Sequence, residues 1–134
     1  DKEIFVEVDK NQIQQALFNI FLNAIEAMPM RGDIFVKTYS CMAPVPPDHQ
    51  EKSFCVIEIR DTGSGISKDD MAKIFEPFFT TKREKKGTGL GLSIVKSIID
   101  TNKGTINVHS EIDKGTTVRI KLPETRILKE GTRR

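Results

Sequence analysis

The stretch Gly87-Thr88-Gly89-Leu90-Gly91-Leu92-Ser93-Ile94 alternates glycine with a hydroxyl or an apolar residue and runs straight into a helical apolar pattern. Alternate glycines admit positive φ and let a ligand come close to the main chain. A helix that begins there turns free N–H groups and its positive dipole end toward whatever sits in the loop. Four cations, Lys82, Arg83, Lys85 and Lys86, stand just upstream. The chemistry suits a polyphosphate. A dinucleotide loop of the form G-x-G-x-x-G would need glycine where Leu92 stands, and the Gly-Lys pair of a P-loop occurs nowhere in the chain. A flexible linker is the competing reading of a bare Gly-x-Gly-x-Gly run. Leu90, Leu92 and Ile94 speak against it, because they need burial.

A chain of 134 residues is long enough for one domain with a real core. Its net charge of +2 is too small to point to nucleic acid, and the basic residues cluster locally instead. Cys41 and Cys55 have no metal-ligand spacing and read as free thiols in a reducing compartment. No apolar run approaches the roughly 18 residues of a membrane span, and no signal peptide is visible. The chain opens Asp1-Lys2-Glu3 without an initiator Met, as expected of a piece of a longer protein. It carries no internal repeat.

Alternating β-branched residues predict a short strand over 4–8. Asp9 with Gln12 makes a capping-box start for a helix running to about Met28, where Pro29 ends it. Residues 33–40 and 53–60 read as strands of an antiparallel hairpin, with the Pro-rich segment 43–50 between them as a long exposed loop. Ser67 with Asp70 caps a short helix ending near Phe75. A third helix is expected over 88–102, with Gly104 as its C-terminal cap. Residues 105–110 and 116–122 form two more strands around an Asp113-Lys114-Gly115 turn. After Pro123 the chain is charged, so residues 1–123 read as the domain and 124–134 as a fraying tail. The order predicts an α+β fold: a two-layer sandwich of about five strands, mixed but mostly antiparallel, with three helices on one face.

The first helix is unusual. Ile13, Ala16, Leu17, Ile20, Phe21, Ala24, Ile25 and Met28 form a wide apolar face. Gln12, Gln15, Asn19, Asn23 and Glu26 fall in one stripe roughly 80° wide. Between Asn11 and Met30, Glu26 is the only charged residue. Two mid-helix asparagines at i and i+4 cost roughly 1 kcal/mol together. The stripe reads either as a second, polar contact surface or as a solvated face that lacks charge. Asp61-Thr62-Gly63-Ser64-Gly65-Ile66 follows an apolar strand. A carboxylate at a strand end can accept from an exocyclic amine, with Gly63 and Gly65 clearing space for a flat ring. An ordinary Asp-Gly turn explains the same residues.

Four segments stand in a fixed order: Asn19-x-x-x-Asn23-Ala24, Asp61-x-Gly63-x-Gly65, Phe75-Glu76-Pro77-Phe78-Phe79 and Gly87-x-Gly89-x-Gly91-Leu92. Together they resemble the N, G1, F and G2 boxes of the ATP-binding catalytic domain of sensor histidine kinases, which shares the Bergerat fold with gyrase, the Hsp90 chaperone and MutL. The resemblance covers about residues 5–123, and Asn23-Ala24-Ile25-Glu26-Ala27-Met28-Pro29 looks most like the nitrogen-regulatory type.

The resemblance implies that Asp61 binds the adenine amino group, with Gly63, Gly65 and Ile66 lining the base pocket and Thr116 supporting the Asp. It implies that Asn23 holds Mg²⁺ against the phosphates of ATP, helped by Asn19, and assigns catalysis to this pair. Phe75, Phe78 and Phe79 would anchor a lid over residues 80–88. Gly87, Thr88, Gly89, Leu90, Gly91 and Leu92 would meet the phosphates. Glu26 and Ala27 close the same site, but many relatives carry Lys or Arg where Glu26 stands. The lid, with Phe79, Thr80, Thr81, Lys82 and Arg83, would then supply the cations.

Hydrolysing members of the superfamily resemble one another in a Glu where Asn19 stands here. An amide cannot take a proton from water, so Asn19 disfavours hydrolysis. Transfer needs mainly positioning and charge neutralisation. The implied acceptor is a histidine on the dimerisation hairpin of the same kinase, with a response regulator acting downstream. His49 lies in the Pro-rich segment and His109 in a strand pattern, so neither fits that role. The resemblance further implies a cytoplasmic domain without membrane or nucleic-acid contact, monomeric as a fragment, whether the parent is soluble or membrane-anchored. A nucleotide-sensing module without transfer and a serine kinase of an anti-sigma pathway are the other readings.

Overall fold

The computed structural model describes residues 2–79 and 91–126. Its elements are β1 (Phe5–Val6), α1 (Lys10–Glu26), β2 (Ile34–Val45), β3 (Gln50–Asp61), α2 (Lys68–Met71), α3 (Gly91–Thr101), β4 (Thr105–Glu111) and β5 (Gly115–Thr125). The strands form one sheet in the order β1-β5-β3-β2, with β4 also paired to β5. Every pairing among the described residues is antiparallel. Period-2 alternation builds the inner face. Ile59 sits opposite Val118, which sits opposite Val108, and the next row reads Ile57, Ile120, Ile106.

Helices α1 and α3 cover that face. Ala16, Ile20 and Ala24 recur every fourth residue on α1, and Val95, Ile98 and Ile99 come from α3. They meet Ile59, Ile106, Val118, Ile120 and Leu122 in a single core cluster, apart from Ala24, which lies just beyond it. Each large member contributes about 1.5–3 kcal/mol by leaving water. The outer face is mixed, with the buried Val56 beside charged residues. Arg119 donates to Glu58 at 2.8 Å across β3 and β5, and Arg60 lies over the Phe35 ring at 4.3 Å.

The structure moves several expected boundaries. Asp9 caps α1, accepting from the Gln12 N–H at 3.0 Å, but the helix stops at Glu26, before Pro29 is reached. Half of the Pro-rich segment is strand. β2 runs to Val45 and β3 starts at Gln50, so only Pro46–His49 turn the hairpin, with His49 at φ 57°. Pro44 is tolerated in β2 because β2 is an edge strand and one side of its backbone needs no donor. The Ser67 cap holds, but α2 is a single turn ending at Met71. At the end of α3 the left-handed residue is Lys103 (φ 66°), one before Gly104. Gly104 donates to the Ile99 carbonyl at 2.8 Å, and a Cβ on it would lie 2.5 Å from the Lys121 carbonyl oxygen. Glycine is required there by close packing rather than by its φ. β5 passes the expected boundary at 123 and continues to Thr125. Glu124 accepts from Ser40 and Ser53 at 2.9 and 2.6 Å, so at least residues 124 and 125 belong to the sheet.

Candidate active site

Asp61 lies two residues beyond Ile59, so the same alternation turns it toward the helix layer at the end of the inner face. It is the one buried polar or charged residue among those described, 7% exposed. Its Oδ1 accepts from the Gly63 N–H at 2.8 Å and from the Thr116 N–H at 3.2 Å. Oδ2 takes no hydrogen bond from the described residues. One oxygen fixes the side chain by both of these bonds.

The loop after Asp61 is stapled on three sides. The Ser64 N–H donates to the Ala27 carbonyl at 3.2 Å, and the Asp113 N–H donates to the Ser64 carbonyl at 2.7 Å. Thr62 and the chain before β2 exchange two bonds: Thr62 N–H to the Asp33 carbonyl at 3.2 Å, and Asp33 N–H to Thr62 Oγ1 at 3.0 Å. The glycines act differently from the expectation that they clear room for a ring. A Cβ on Gly63 would lie 2.7 Å from Ala27 Cβ, and one on Gly65, at φ 78°, would collide with the Glu111 carbonyl oxygen. Protein backbone and side chain fill those spaces. The glycines let the loop press against the end of α1 and against the β4–β5 turn.

Ser110 is the residue that sequence reasoning missed. Its hydroxyl accepts from the Ile66 N–H at 2.8 Å and lies 3.0 Å from the Gly115 carbonyl and 2.8 Å from Thr116 Oγ1. It joins the Asp61 loop to the turn whose Thr116 N–H holds Asp61. The only sequence cue was that Ser110 continues the inward alternation of Ile106 and Val108 with a polar residue.

Asn23 sits one turn before the C-terminal end of α1. A Cβ on Gly91 would lie 3.6 Å from its carboxamide, an ordinary contact distance. Asn23 of the amide stripe therefore meets the N-terminal end of α3, while Gln15 and Glu26 of the same stripe are exposed, so the stripe is a contact surface only in part. Asn19, one turn earlier, is half-buried, while Glu26 is exposed. Leu92 is half-buried and packs against the core. Of the Phe-rich segment, Phe75 packs against the core, Phe79 is half-buried and Phe78 is exposed at φ 69°. Thr80, Thr81, Lys82, Arg83, Gly87, Thr88, Gly89 and Leu90 lie outside the described residues.

Residues 8–126 match the model of the family described as histidine kinase-, DNA gyrase B-, and HSP90-like ATPase. The chain belongs to this family. Among curated relatives, the sensor kinase CckA of Brucella abortus (strain 2308) is 46% identical over 123 residues, covering 88% of this chain and 13% of the relative. Sporulation kinase E of Bacillus subtilis (strain 168) is 41% identical over 115 residues, covering 86% and 14%. The solved catalytic domain of histidine kinase ThkA superposes with a TM-score of 0.70 at 34% identity, covering 90% of this chain and 73% of that one. The chain thus spans about one seventh of the curated relatives named here. It is a histidine-kinase-type ATPase domain with the open antiparallel sheet and three helices of that group. Domains of this family bind ATP.

Proposed function

We propose that this domain binds Mg-ATP and hands its γ-phosphate to a histidine on a helical hairpin elsewhere in the same kinase, for onward use by a response regulator. The observation that carries the reading is the divided carboxylate of Asp61. With Oδ1 held by two N–H groups, Oδ2 accepts the adenine amino group, and Gly63, Gly65 and Ile66 form the wall beside it. Thr116 and Ser110 hold the arrangement from behind.

The phosphate end lies where Asn23 meets the start of α3. Helix N–H groups there favour anions, and the segment containing Gly87, Gly89 and Leu90 leads into it. No group of three His, Cys, Asp or Glu side chains among the described residues could cage a metal. The amides of Asn19 and Asn23 fit Mg²⁺, which keeps waters and phosphate oxygens as ligands and needs few from protein. The Asn23 carboxamide oxygen would hold it, with Asn19 orienting the neighbouring water, and the ion would neutralise phosphate charge. Asn19 offers no base, so water stays unactivated, and a docked histidine supplies the nucleophile. Among the described residues no helix is long and apolar enough to cross a membrane, and the domain is proposed to work in the cytoplasm.

The test incubates the chain with γ-labelled ATP, with and without a separate hairpin from the parent kinase. Acid-labile label on the hairpin, none on the chain and slow phosphate release without the hairpin are expected. Label on the chain itself, or rapid release without acceptor, would overturn the reading.

A further inference from the structure

The two helices that frame the site are tied together at the end remote from it by one side chain. Asn102 follows the last residue of α3 and uses both ends of its amide. Its Oδ1 accepts from the Asp9 N–H at 2.9 Å. Its Nδ2 donates to Gln12 Oε1 at 2.9 Å and to the Ile98 carbonyl at 2.8 Å. Asp9 is the N-cap of α1 and Ile98 lies in the last turn of α3. One amide therefore grips the start of α1 and the end of its own helix.

The opposite ends of the same helices meet at Asn23 and Gly91, so α1 and α3 run antiparallel. From Gln12 to Asn23 and from Gly91 to Asn102 the chain advances the same eleven residues, about 16 Å of helix. Between the two contacts the packing is apolar, through Ala16, Ile20, Val95, Ile98 and Ile99. Apolar burial is non-directional and fixes register weakly. A shift of α1 along its axis by one residue's rise, about 1.5 Å, keeps its apolar stripe on the core. That is enough to carry the Asn23 carboxamide away from the start of α3. A fully satisfied polar network is what resists such a slip.

We propose that Asn102 is a positioning residue for the phosphate end of the nucleotide site, acting by setting the register of α1 against α3. The proposal rests on the Mg-ATP reading above. The base end depends on it less, because Asp61 is held by Gly63 and Thr116, which lie on neither helix, and its loop touches α1 only through Ala27 at the C-cap.

The experiment measures affinity for Mg-ATP and for adenosine, which lacks phosphates, by calorimetry on the full chain. Asn102→Ala removes the whole clamp, and Gln12→Ala removes a single arm should the first variant fold poorly. Ser53→Ala, which loses a bond to Glu124 away from both helices, is the control for lost stability. Asn102→Ala is expected to weaken Mg-ATP roughly 5- to 10-fold and Gln12→Ala less, with adenosine affinity held within about twofold. Equal losses for both ligands, or Mg-ATP binding no weaker than in the Ser53→Ala control, would overturn the positioning role. A parent chain that itself fails to bind Mg-ATP would overturn the nucleotide reading, and this one with it.

Discussion

Asp61 is both a structural acceptor and the proposed recognition group, and its environment decides how it can be tested. Removing the carboxylate would leave the N–H groups of Gly63 and Thr116 unpaired in a buried place, at about 1–3 kcal/mol for each. Alanine there would therefore confuse folding with binding. Asp61→Asn keeps an oxygen for both N–H groups and puts an NH₂ in place of Oδ2, donor against donor for the adenine amine. ATP affinity is expected to fall roughly 10- to 150-fold with the melting temperature little changed, read by calorimetry and thermal melts. Unchanged affinity would remove Asp61 from the base pocket. Ser110→Ala tests the support behind it. The Ile66 N–H loses its acceptor, so the denaturant midpoint should drop by an amount worth about 1–3 kcal/mol. ATP should also bind less tightly.

At the scale of elements, the two faces of the sheet obey different chemistry. The inner face is apolar and ends in Asp61, while the outer face carries the Glu58–Arg119 pair, with Lys37 at 3.8 Å from Glu58. The Arg119 hydrogen bond and charge hold the Glu58 carboxyl below its ordinary range, chiefly through that hydrogen bond. Glu124 is lowered in the same way by Ser53 and Ser40. A carboxyl depressed in the folded state adds stability above its unfolded pKa and loses it as pH falls through the folded one. Stability contributed by β3 and β5 should therefore decline on acidification below the ordinary carboxylate range. Glu58→Gln is expected to melt below the parent at pH 7, with the gap closing at pH 3. A gap that persists at pH 3 would mean that packing, not charge, links the two strands.

For the whole molecule, binding to the folded state alone must raise stability. At a Mg-ATP concentration of 100 Kd the gain is about 2.7 kcal/mol. For a domain of this size that corresponds to a rise of roughly 10 °C in melting temperature, measured by scanning calorimetry against an EDTA control. No rise would count against a nucleotide site in this chain. The sheet and helices form a single core, so the ligand should stabilise one cooperative transition rather than a part of the chain.

The sequence by itself carried the local signals: the Asp9 and Ser67 caps, the alternation of β3 and β5, and the four boxes in their order. Caps and periodicity depend on neighbours a few residues away, so they are legible in one dimension. Strand ends were not. Pro44 could stand in β2 only because β2 falls at the sheet edge, and Glu124 joins β5 because Val6 of β1 pairs with it and Ser40 and Ser53 face it. The purpose of Gly63, Gly65 and Gly104 was equally hidden, since what fills the space of a missing Cβ comes from Ala27, Glu111 and Lys121. Ser110 and Asn102 look like ordinary polar residues until their partners, up to 93 residues away, are brought to them. Residue types and spacing determined which chemistry the chain carries. Tertiary contact decided how each group is held, because a hydrogen bond or a close approach is a fact about distance in space, not along the chain.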